Sequence, residues 1–479
     1  MRIMVFGATG YIGSHLVPAL VQGGFTVRAA ARRIEVLKAR GWEGVELTSA
    51  DALDPGSLDP ALSGCDIAYY LVHSMASGSR FSELDRRAAD HFRAAAERAG
   101  IRRIIYLGGL QPPGAAGSAH LASRRETGER LRGGAVPVTE IRAGVIVGAG
   151  SAAFEVIRDL VYHLPVMVTP RWVQSRTQPI ALDDLIAYLV RLPDTPQTEG
   201  RTFDVCGPET LQYEELIRQF AEAVGKRPLI LRLPVLTPRL SSYWLDLVTA
   251  VPASVARPLI DGLKHDLLGD DRPIRALIPI PLHTYREAVI EALRAERSEP
   301  VPARWTEGAL AYRGQRPDVA FYAKSARAEQ QVNASTDAVW RVVARLGGET
   351  GWLYHHWLWR LRGVLDRLVG GPGMRRGRRH PSELRVGDAV DFWRVAAVDH
   401  GRRLTLVAEM RLPGAAVLEF EITPEGKERS TLVTTARFHP AGAPGLLYWY
   451  ALTAVHRRVF GGLTASIARQ AEQDERTRR

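Results

Sequence analysis

The sequence predicts an α/β domain with a doubly wound parallel sheet, followed by a smaller α+β domain. Three observations predict this organisation. From Met1 to Leu107, short apolar runs alternate with amphipathic stretches, the pattern of parallel strands joined by crossover helices. A glycine-rich loop joins the first apolar run to the first amphipathic stretch. Beyond a proline-punctuated segment, the pattern changes to the two-residue alternation of antiparallel strands.

Composition limits the class of protein. The chain has 479 residues, enough for two or three domains, with 46% hydrophobic and 24% charged residues, as in globular proteins. No apolar run is long enough for a membrane span, and the start shows no signal peptide. Cys65 and Cys206 lie far apart, which predicts a reducing cytoplasmic location and no metal site. The net charge of +11 suits either an anionic partner or an arginine-rich background.

The glycine loop has the spacing of a phosphate-binding turn. Gly7 permits a tight turn, Gly10 lets backbone N–H groups approach a pyrophosphate, and Gly13 lets the helix lie close to the strand. The helix N-terminus adds unpaired N–H groups and a positive dipole end. We predict that the loop binds a dinucleotide through these residues: Gly7, Thr9, Gly10, Tyr11, Ile12 and Gly13.

The second and third strands carry candidate cofactor contacts. The second strand, 25–31, ends in Arg32 and Arg33, where NAD-binding sites carry an acidic residue. Two arginines suit a 2′-phosphate, so NADP is predicted, with NAD as the alternative cofactor. The alternative interpretation is that both arginines are solvated at the start of a helix. The third strand, 45–50, leads to Asp51, which suits the adenine amino group, and to Asp54, which is expected to cap the next helix.

The fourth and fifth strands, 65–72 and 103–107, end at the same predicted edge of the sheet. Because the loops after parallel strands meet there, we expect Val72, His73 and Gly108 to contact the cofactor as well.

These motifs resemble the short-chain dehydrogenase/reductase superfamily, in its extended or NmrA-like branch. The resemblance covers residues 1–295, includes segments 142–148, 178–184 and 203–209, and implies a Rossmann domain that binds NAD(P)H. Active members carry a serine after the fifth strand and a Tyr-x-x-x-Lys motif on the next helix. Here Gly108 and Gly109 follow the strand, and His120 and Arg124 occupy the tyrosine and lysine positions.

This departure leaves two alternatives. In the first, His120 acts as an acid near neutral pH, while Arg124 holds the nicotinamide ribose and repels a proton from His120. In the second, the site has lost reductase chemistry and only binds the dinucleotide. Because hydride transfer needs only placement of the nicotinamide, a tyrosine-free site can still reduce an activated double bond or a quinone.

Residues 151–295 are expected to complete the sheet edge and cover the crevice. The pattern predicts a helix at 154–161, a loop or edge strand at 165–168, a helix capped by Thr210 and a strand at 229–233. The strongly apolar segment 240–268 predicts a buried helix that could line the pocket of a hydrophobic substrate.

A linker at 296–325 is predicted to precede a second domain at 326–479. The elements expected there are a strand at 328–332, a helix capped by Ser335 or Thr336, strands at 389–398, 404–410, 416–422 and 430–438, and a final helix at 446–471. This order resembles a START-like, polyketide-cyclase-type helix-grip domain, which implies an apolar ligand cavity. The whole chain resembles bacterial proteins that fuse an atypical reductase to an uncharacterised domain of this type.

Three stretches of the second domain, 352–362, 375–380 and 446–458, combine aromatic and basic side chains. They suit anionic lipid headgroups or stacked bases, or else tryptophans packed over a cavity beside a solvated basic loop. His355 and His356 lack a third ligand at metal spacing.

The leading hypothesis is therefore an NADP(H)-dependent atypical short-chain oxidoreductase, cytoplasmic, acting on a hydrophobic or quinone-like small molecule. The alternative is a non-catalytic dinucleotide sensor whose second domain binds a lipid or a partner. Nucleic acid is disfavoured as a partner, and peripheral contact with a membrane is compatible with the sequence.

Overall fold

In the computed structural model, the chain divides into two compact units, Met1–Pro302 and Ala303–Arg479. The structure describes residues 1–32, 34–38, 40–73, 81–112, 118–169, 171–232, 265–298, 323–348, 350–371, 373, 380, 383–385, 387–426 and 428–478. Most of the predicted linker and of the apolar segment 240–268 lies outside the described residues, as do Arg33 and the arginines of 375–379. The domain limits set from the sequence stay a prediction.

Thirteen strands of the N-terminal unit are described. They are β1 (Arg2–Phe6), β2 (Thr26–Ala31), β3 (Glu46–Ser49), β4 (Ile67–Tyr70), β5 (Arg103–Gly109), β6 (Val138–Ala143), β7 (Ile146–Val147), β8 (Val166–Thr169), β9 (Arg176–Thr177), β10 (Ile180–Ala181), β11 (Thr202–Val205), β12 (Leu211–Gln212) and β13 (Leu229–Arg232). Seven of these form one sheet in the order β11-β6-β5-β4-β1-β2-β3, and every neighbouring pair runs parallel. The predicted parallel sheet is confirmed.

Helices cover both faces of this sheet. They are α1 (Tyr11–Gln22), α2 (Ile34–Lys38), α3 (Pro55–Leu62), α4 (Phe81–Arg98), α5 (Ala119–Arg132), α6 (Ala152–His163), α7 (Leu182–Arg191), α8 (Tyr213–Ala223), α9 (Arg272–Leu277) and α10 (Tyr285–Ser298), with short 3-10 turns at Arg171–Gln174, Leu192–Asp194 and Pro196–Thr198. Leu16 of α1 and Leu185 of α7 pack in one core cluster, whereas Leu58 of α3 and Phe92 of α4 pack in another.

The strand order reverses at β1, which lies between β2 and β4. Connections that leave β1 and β4 diverge to opposite faces of the sheet, and a crevice opens between the loops that follow these two strands. The glycine loop follows β1, and Val72 and His73 follow β4. The topology therefore brings them to one place.

Two predicted helix N-caps, Asp54 and Thr210, can be compared with the structure. Asp54 caps α3 by accepting from the N–H of Gly56, as predicted. The predicted Thr210 cap is wrong, because Leu211 and Gln212 form β12, which pairs with β9, and the helix begins after them. Gln212 is the actual N-cap, in a capping box with Glu215.

The C-terminal unit is a six-stranded antiparallel sheet with helices. Its elements are β14 (Lys324–Val332), α11 (Thr336–Val343), α12 (His356–Leu368), β15 (Ala389–Val390), β16 (Trp393–Asp399), β17 (Arg403–Ala408), β18 (Gly414–Pro424), β19 (Ser430–Pro440), α13 (Gly442–Ala451) and α14 (Thr453–Arg478). The strand order is β14-β19-β18-β17-β16-β15. Ser335 caps α11, as one of the two predicted alternatives required.

Two expectations for this unit are wrong in detail. The strand predicted at 389–398 is interrupted, because Asp391 has φ +54° and the chain turns there between β15 and β16. The helix predicted at 446–471 is two helices, since α13 ends at Ala451 with Leu452 as its C-cap and α14 begins at Thr453. Among the described helices, none combines the length and the apolarity that a membrane crossing needs.

Prediction for the clamp between α7 and the loop before α10. Asp184 accepts from the backbone N–H of His283 at 2.9 Å, and its other oxygen lies 2.7 Å from His283 Nδ1, an interaction that raises the pKa of His283. A raised folded-state pKa stabilises the fold below the unfolded pKa, and this contribution is lost as the pH rises through the folded value. Thermal unfolding of wild type and His283→Gln should therefore differ at about pH 6 and converge by about pH 9.

The expected difference is under about 1 kcal/mol, because the ring is partly exposed and its ion pair is screened by solvent. A difference that stays constant across this pH range would contradict the assignment.

Candidate active site

The glycine loop turns where the sequence places the turn. Gly7 has φ +92°, and a Cβ there would lie 3.1 Å from the carbonyl carbon of Leu71 and 3.3 Å from Val72 Cγ2. Gly10 is the exposed N-cap of α1 and has no side-chain cap, so the first N–H groups of the helix face outward without a side-chain acceptor. Such a helix end fits a pyrophosphate.

Gly13 lies in backbone contact with the loop. A Cβ on Gly13 would lie 2.5 Å from the carbonyl oxygen of Gly7 and 2.8 Å from Ala8 Cα, distances that no real side chain adopts. Thr9 and Ile12 are half-buried beside it, and Ile12 packs against the core under α1. The predicted reason for glycine at 13, close packing, is confirmed by this geometry.

Tyr11 lies on the far side of the loop. Its ring contacts His15 edge to face at 5.1 Å, and its hydroxyl lies close enough to Gly148 that a Cβ there would be 2.5 Å away. The hydroxyl of Tyr11 therefore lies beside the backbone at Gly148.

Arg32 and Asp51 follow neighbouring strands, β2 and β3. Arg32 is exposed, and its carbonyl oxygen accepts from Ser49 Oγ at 3.1 Å, which holds the two strand ends together. Asp51 accepts from the N–H of Leu53 at 3.0 Å and is half-buried. Both stand at the carboxyl edge of the sheet, where the prediction required them.

A hydrogen-bonded chain of three residues crosses the end of β4. Nδ1 of His73 lies 2.7 Å from Oδ2 of Asp85, and Nε2 of His73 lies 3.0 Å from Nδ1 of His120. Ser123 Oγ donates to the same carboxylate oxygen at 3.1 Å. Asp85 comes from α4 and is buried, so the network joins α4, β4 and α5.

The negative charge of the Asp85 carboxylate determines which nitrogen atoms of the two histidines carry hydrogen. An ionised carboxylate can only accept, so Nδ1 of His73 donates to Asp85, and Nε2 of His73 accepts from Nδ1–H of His120. Burial lowers the pKa of His73, opposed by Asp85, while burial, His73 and Arg124 lower the pKa of His120 to about 3. Arg124 lowers the pKa of His120, the direction expected from the sequence, and the lowered pKa values favour the neutral form of both rings at pH 7.

Arg124 folds back onto the sheet. Its Nη2 donates to the carbonyl oxygen of Leu107, and its guanidinium carbon lies 5.0 Å from the ring centroid of Tyr106. The hydroxyl of Tyr106 donates to the carbonyl oxygen of Arg124 at 2.8 Å. Arg124 thus closes β5 against α5, a protein contact that the sequence did not predict.

Apolar side chains lie beside His120. Leu121, the next residue on α5, belongs to a buried cluster with Leu110, Cys206 and Leu267, and a Cβ on Gly109 would contact Leu121 at 3.5 Å. Burial raises the pKa of Cys206 to about 12, which keeps the thiol neutral. Gly108 lies next to Glu140, whose oxygen would be 3.0 Å from a Cβ there.

Sequence reasoning missed Asp85, Ser123 and Tyr106. The spacing of Ser123, three residues after His120 on one helix, is a signal that could have found it. Asp85 carries no such signal, because α4 meets α5 only in the tertiary structure. Throughout the described ranges, no three His, Cys, Asp or Glu side chains come together as a metal site would require.

Two family models match the chain. Residues 7–131 match a family described as NAD(P)H-binding, and residues 319–463 match a family described as a protein of unknown function (DUF2867).

Curated relatives align with the N-terminal unit. The ceramide reductase of Caulobacter vibrioides is 28% identical over 234 residues, 48% of this chain and 73% of the relative. The (4-alkanoyl-5-oxo-2,5-dihydrofuran-3-yl)methyl phosphate reductase of Streptomyces griseus is 30% identical over 235 residues, 47% of this chain and 75% of the relative.

Solved structures share the fold of the same unit. The NADPH-dependent quinone oxidoreductase of Escherichia coli, complexed with NADPH, superposes with a TM-score of 0.51 at 20% identity and covers 60% of this chain and 99% of its own. The triphenylmethane reductase of Citrobacter sp., complexed with NADP(H), gives a TM-score of 0.50 at 21% identity and covers 61% of this chain and 100% of its own.

Prediction for the loop contact. Gly13→Ala should displace the loop, since the new methyl group meets backbone rather than a flexible side chain. We expect a loss of about 1–3 kcal/mol in the free energy of unfolding and a loss of NADPH binding, measured by denaturation and calorimetry. Gly56→Ala in α3 is the matched control, because its Cβ would contact only Asp54 Oδ1 at 3.5 Å. Equal behaviour of the two variants would refute the role of Gly13.

Proposed function

Since the chain belongs, through its N-terminal unit, to the NAD(P)H-binding reductases of the short-chain dehydrogenase/reductase type, we propose that it is an NADP(H)-dependent oxidoreductase acting on a hydrophobic or quinone-like small molecule. The hydrogen-bonded chain Asp85–His73–His120 carries this proposal. Its central residue, His73, follows Val72, whose Cγ2 would lie 3.3 Å from a Cβ on Gly7 of the glycine loop.

The hydrogen-bonded residues Asp85, His73 and His120 provide a route for one proton. NADPH, when bound, supplies a hydride, so the site must supply a proton to the oxygen of the reduced group. In the singly protonated histidine pair, His73 donates Nε2–H to Nδ1 of His120, and His120 carries its own hydrogen on Nε2. His120 gives that hydrogen to the substrate and takes the one from His73, so neither ring holds a charge at the end.

His120 is the catalytic residue of this proposal, and His73 and Asp85 are positioning residues. The carboxylate of Asp85 favours a proton on His73 and opposes the effect of burial. Ser123 holds the carboxylate in place from α5. His120, which replaces the family's tyrosine, is therefore accompanied by two positioning residues, His73 and Asp85.

The substrate class follows from the surroundings. Leu121, the residue after His120, belongs to a buried apolar cluster with Leu110. Relatives whose names describe reduction of a ceramide or of an alkanoyl-substituted furanone phosphate, together with structural neighbours that reduce quinones and triphenylmethane dyes, favour a substrate with a large apolar part.

For the C-terminal unit, we infer a START-like helix-grip architecture. The order of strand, helix, antiparallel strands and long C-terminal helix supports it, with α14 packed against β14, β19 and α11. We propose that this unit binds an apolar ligand.

Prediction for cofactor choice. Arg32→Ala, Arg33→Ala should weaken NADPH binding about ten- to a hundredfold, because charge-assisted hydrogen bonds to the 2′-phosphate are lost, and should leave NADH binding nearly unchanged. Calorimetry with both dinucleotides measures this. Arg2→Ala, which removes one positive charge at the start of β1, the opposite edge of the sheet, is the control.

Equal loss of NADPH and NADH affinity would contradict the 2′-phosphate assignment. Absence of binding in the wild type would contradict the cofactor itself.

Prediction for the proton route. Because burial lowers the pKa of both histidines, the protonated pair grows as the pH falls, and kcat for quinone or enone reduction should rise by up to about tenfold per pH unit below neutrality. His120→Ala should remove this slope, and Asp85→Asn should displace the profile to lower pH, since the carboxylate that raises the His73 pKa is gone.

His91→Gln is the control, a histidine on the same helix as Asp85 whose Nδ1 lies 3.0 Å from the carbonyl oxygen of Ala52. A His120→Ala enzyme with the wild-type profile would show catalysis by nicotinamide placement alone. NADPH that binds but is not oxidised by any quinone or enone would favour the dinucleotide sensor.

A further inference from the structure

Helix α12 of the C-terminal unit exposes large apolar side chains. We define its apolar face by six residues, each between 46% and 77% exposed: Trp357, Leu361, Val364, Leu365, Leu368 and Val369. The first five follow the spacing of a single helix face. A continuous face of this kind marks an interaction surface, whereas scattered exposed leucines do not.

The opposite side of α12 fixes the helix to its domain. Trp359 stacks on the buried Trp352 at a ring distance of 4.5 Å. Asp366 is fully buried and accepts from the backbone N–H of Arg411 at 2.6 Å and of Gly373 at 2.8 Å. The helix therefore cannot rotate its apolar face inward without breaking these contacts.

The charges around the apolar face have one sign. Arg360 and Arg367, seven residues apart, border one edge, and Arg362 borders the other. The carboxylate of α12, Asp366, points into the domain. Within the part of the chain that the structure describes, Arg360 and Arg367 form no ion pair.

We propose that the α12 apolar face docks onto an anionic phospholipid bilayer. The helix lies in the plane of the interface, with its leucines and valines below the headgroups, Trp357 at headgroup depth and the arginines on lipid phosphates. With 13 residues, α12 is too short to cross the hydrocarbon core. The protein thus rests on the membrane surface.

The same charges argue against a second copy as the occupant. Pairing two such faces brings the arginine borders of one helix against those of the other, and the buried Asp366 cannot compensate for the repulsion. An anionic surface, in contrast, satisfies all three arginines at once.

The test is sedimentation of the full chain with vesicles. Wild type should bind vesicles that contain about 30% phosphatidylglycerol, bind phosphatidylcholine vesicles at least about tenfold more weakly, and lose binding in high salt. Leu361→Glu, Leu368→Glu should reduce binding at least about tenfold. Arg360→Gln, Arg367→Gln should reduce binding and flatten its salt dependence.

Leu229→Glu is the control, since Leu229 on β13 of the other unit is 56% exposed, between Leu361 at 46% and Leu368 at 77%. Both changed positions on α12 are exposed, so thermal unfolding and NADPH affinity should match wild type. Wild type that does not bind anionic vesicles would overturn the proposal. So would vesicle binding of the double leucine variant at the wild-type level, or a wild-type dimer that this variant dissociates.

Discussion

At Gly13, the first turn of α1 lies so close to the backbone of Gly7 and Ala8 that one added methyl group would overlap both. This contact brings the N-terminus of α1 directly over the end of β1, where its N–H groups face outward at the exposed Gly10. Because β1 and β4 are neighbours, the same contact sets the distance between the helix end and the loop that carries His73. The glycine loop and the loop that carries His73 therefore follow neighbouring strands at one end of the sheet.

The N-terminal unit was largely predictable because its signals are local. Glycine spacing, strand–helix alternation and an Asp54 cap each depend on a few neighbouring residues, and each led to the observed element. The histidine network was only half predictable. His120 could be found from its position on α5, but Asp85 reaches the other ring, His73, from α4, through packing that no local pattern encodes.

The pKa of His120 shows the same limit. A histidine beside an arginine suggests a modest shift, whereas burial together with His73 makes the ring neutral throughout the physiological range. In the C-terminal unit, the sequence shows tryptophans clustered near residue 355 but not how they divide. Trp352 and Trp359 are buried in the core, and Trp357 is exposed. The local sequence could not predict this difference, since tertiary contacts decide which side of α12 is covered.

The pairing of β14 with β19 has a consequence for biosynthesis. Lys324 of β14 pairs with Phe438 of β19. The first strand of the C-terminal unit can therefore join its sheet only after almost the whole chain has been synthesised. The N-terminal unit contains all the strands of its own sheet before residue 206 and can assemble during this interval. The N-terminal unit of a nascent chain should therefore fold first. Until β19 is synthesised, β14 lacks its pairing partner, and a chaperone could bind its exposed edge.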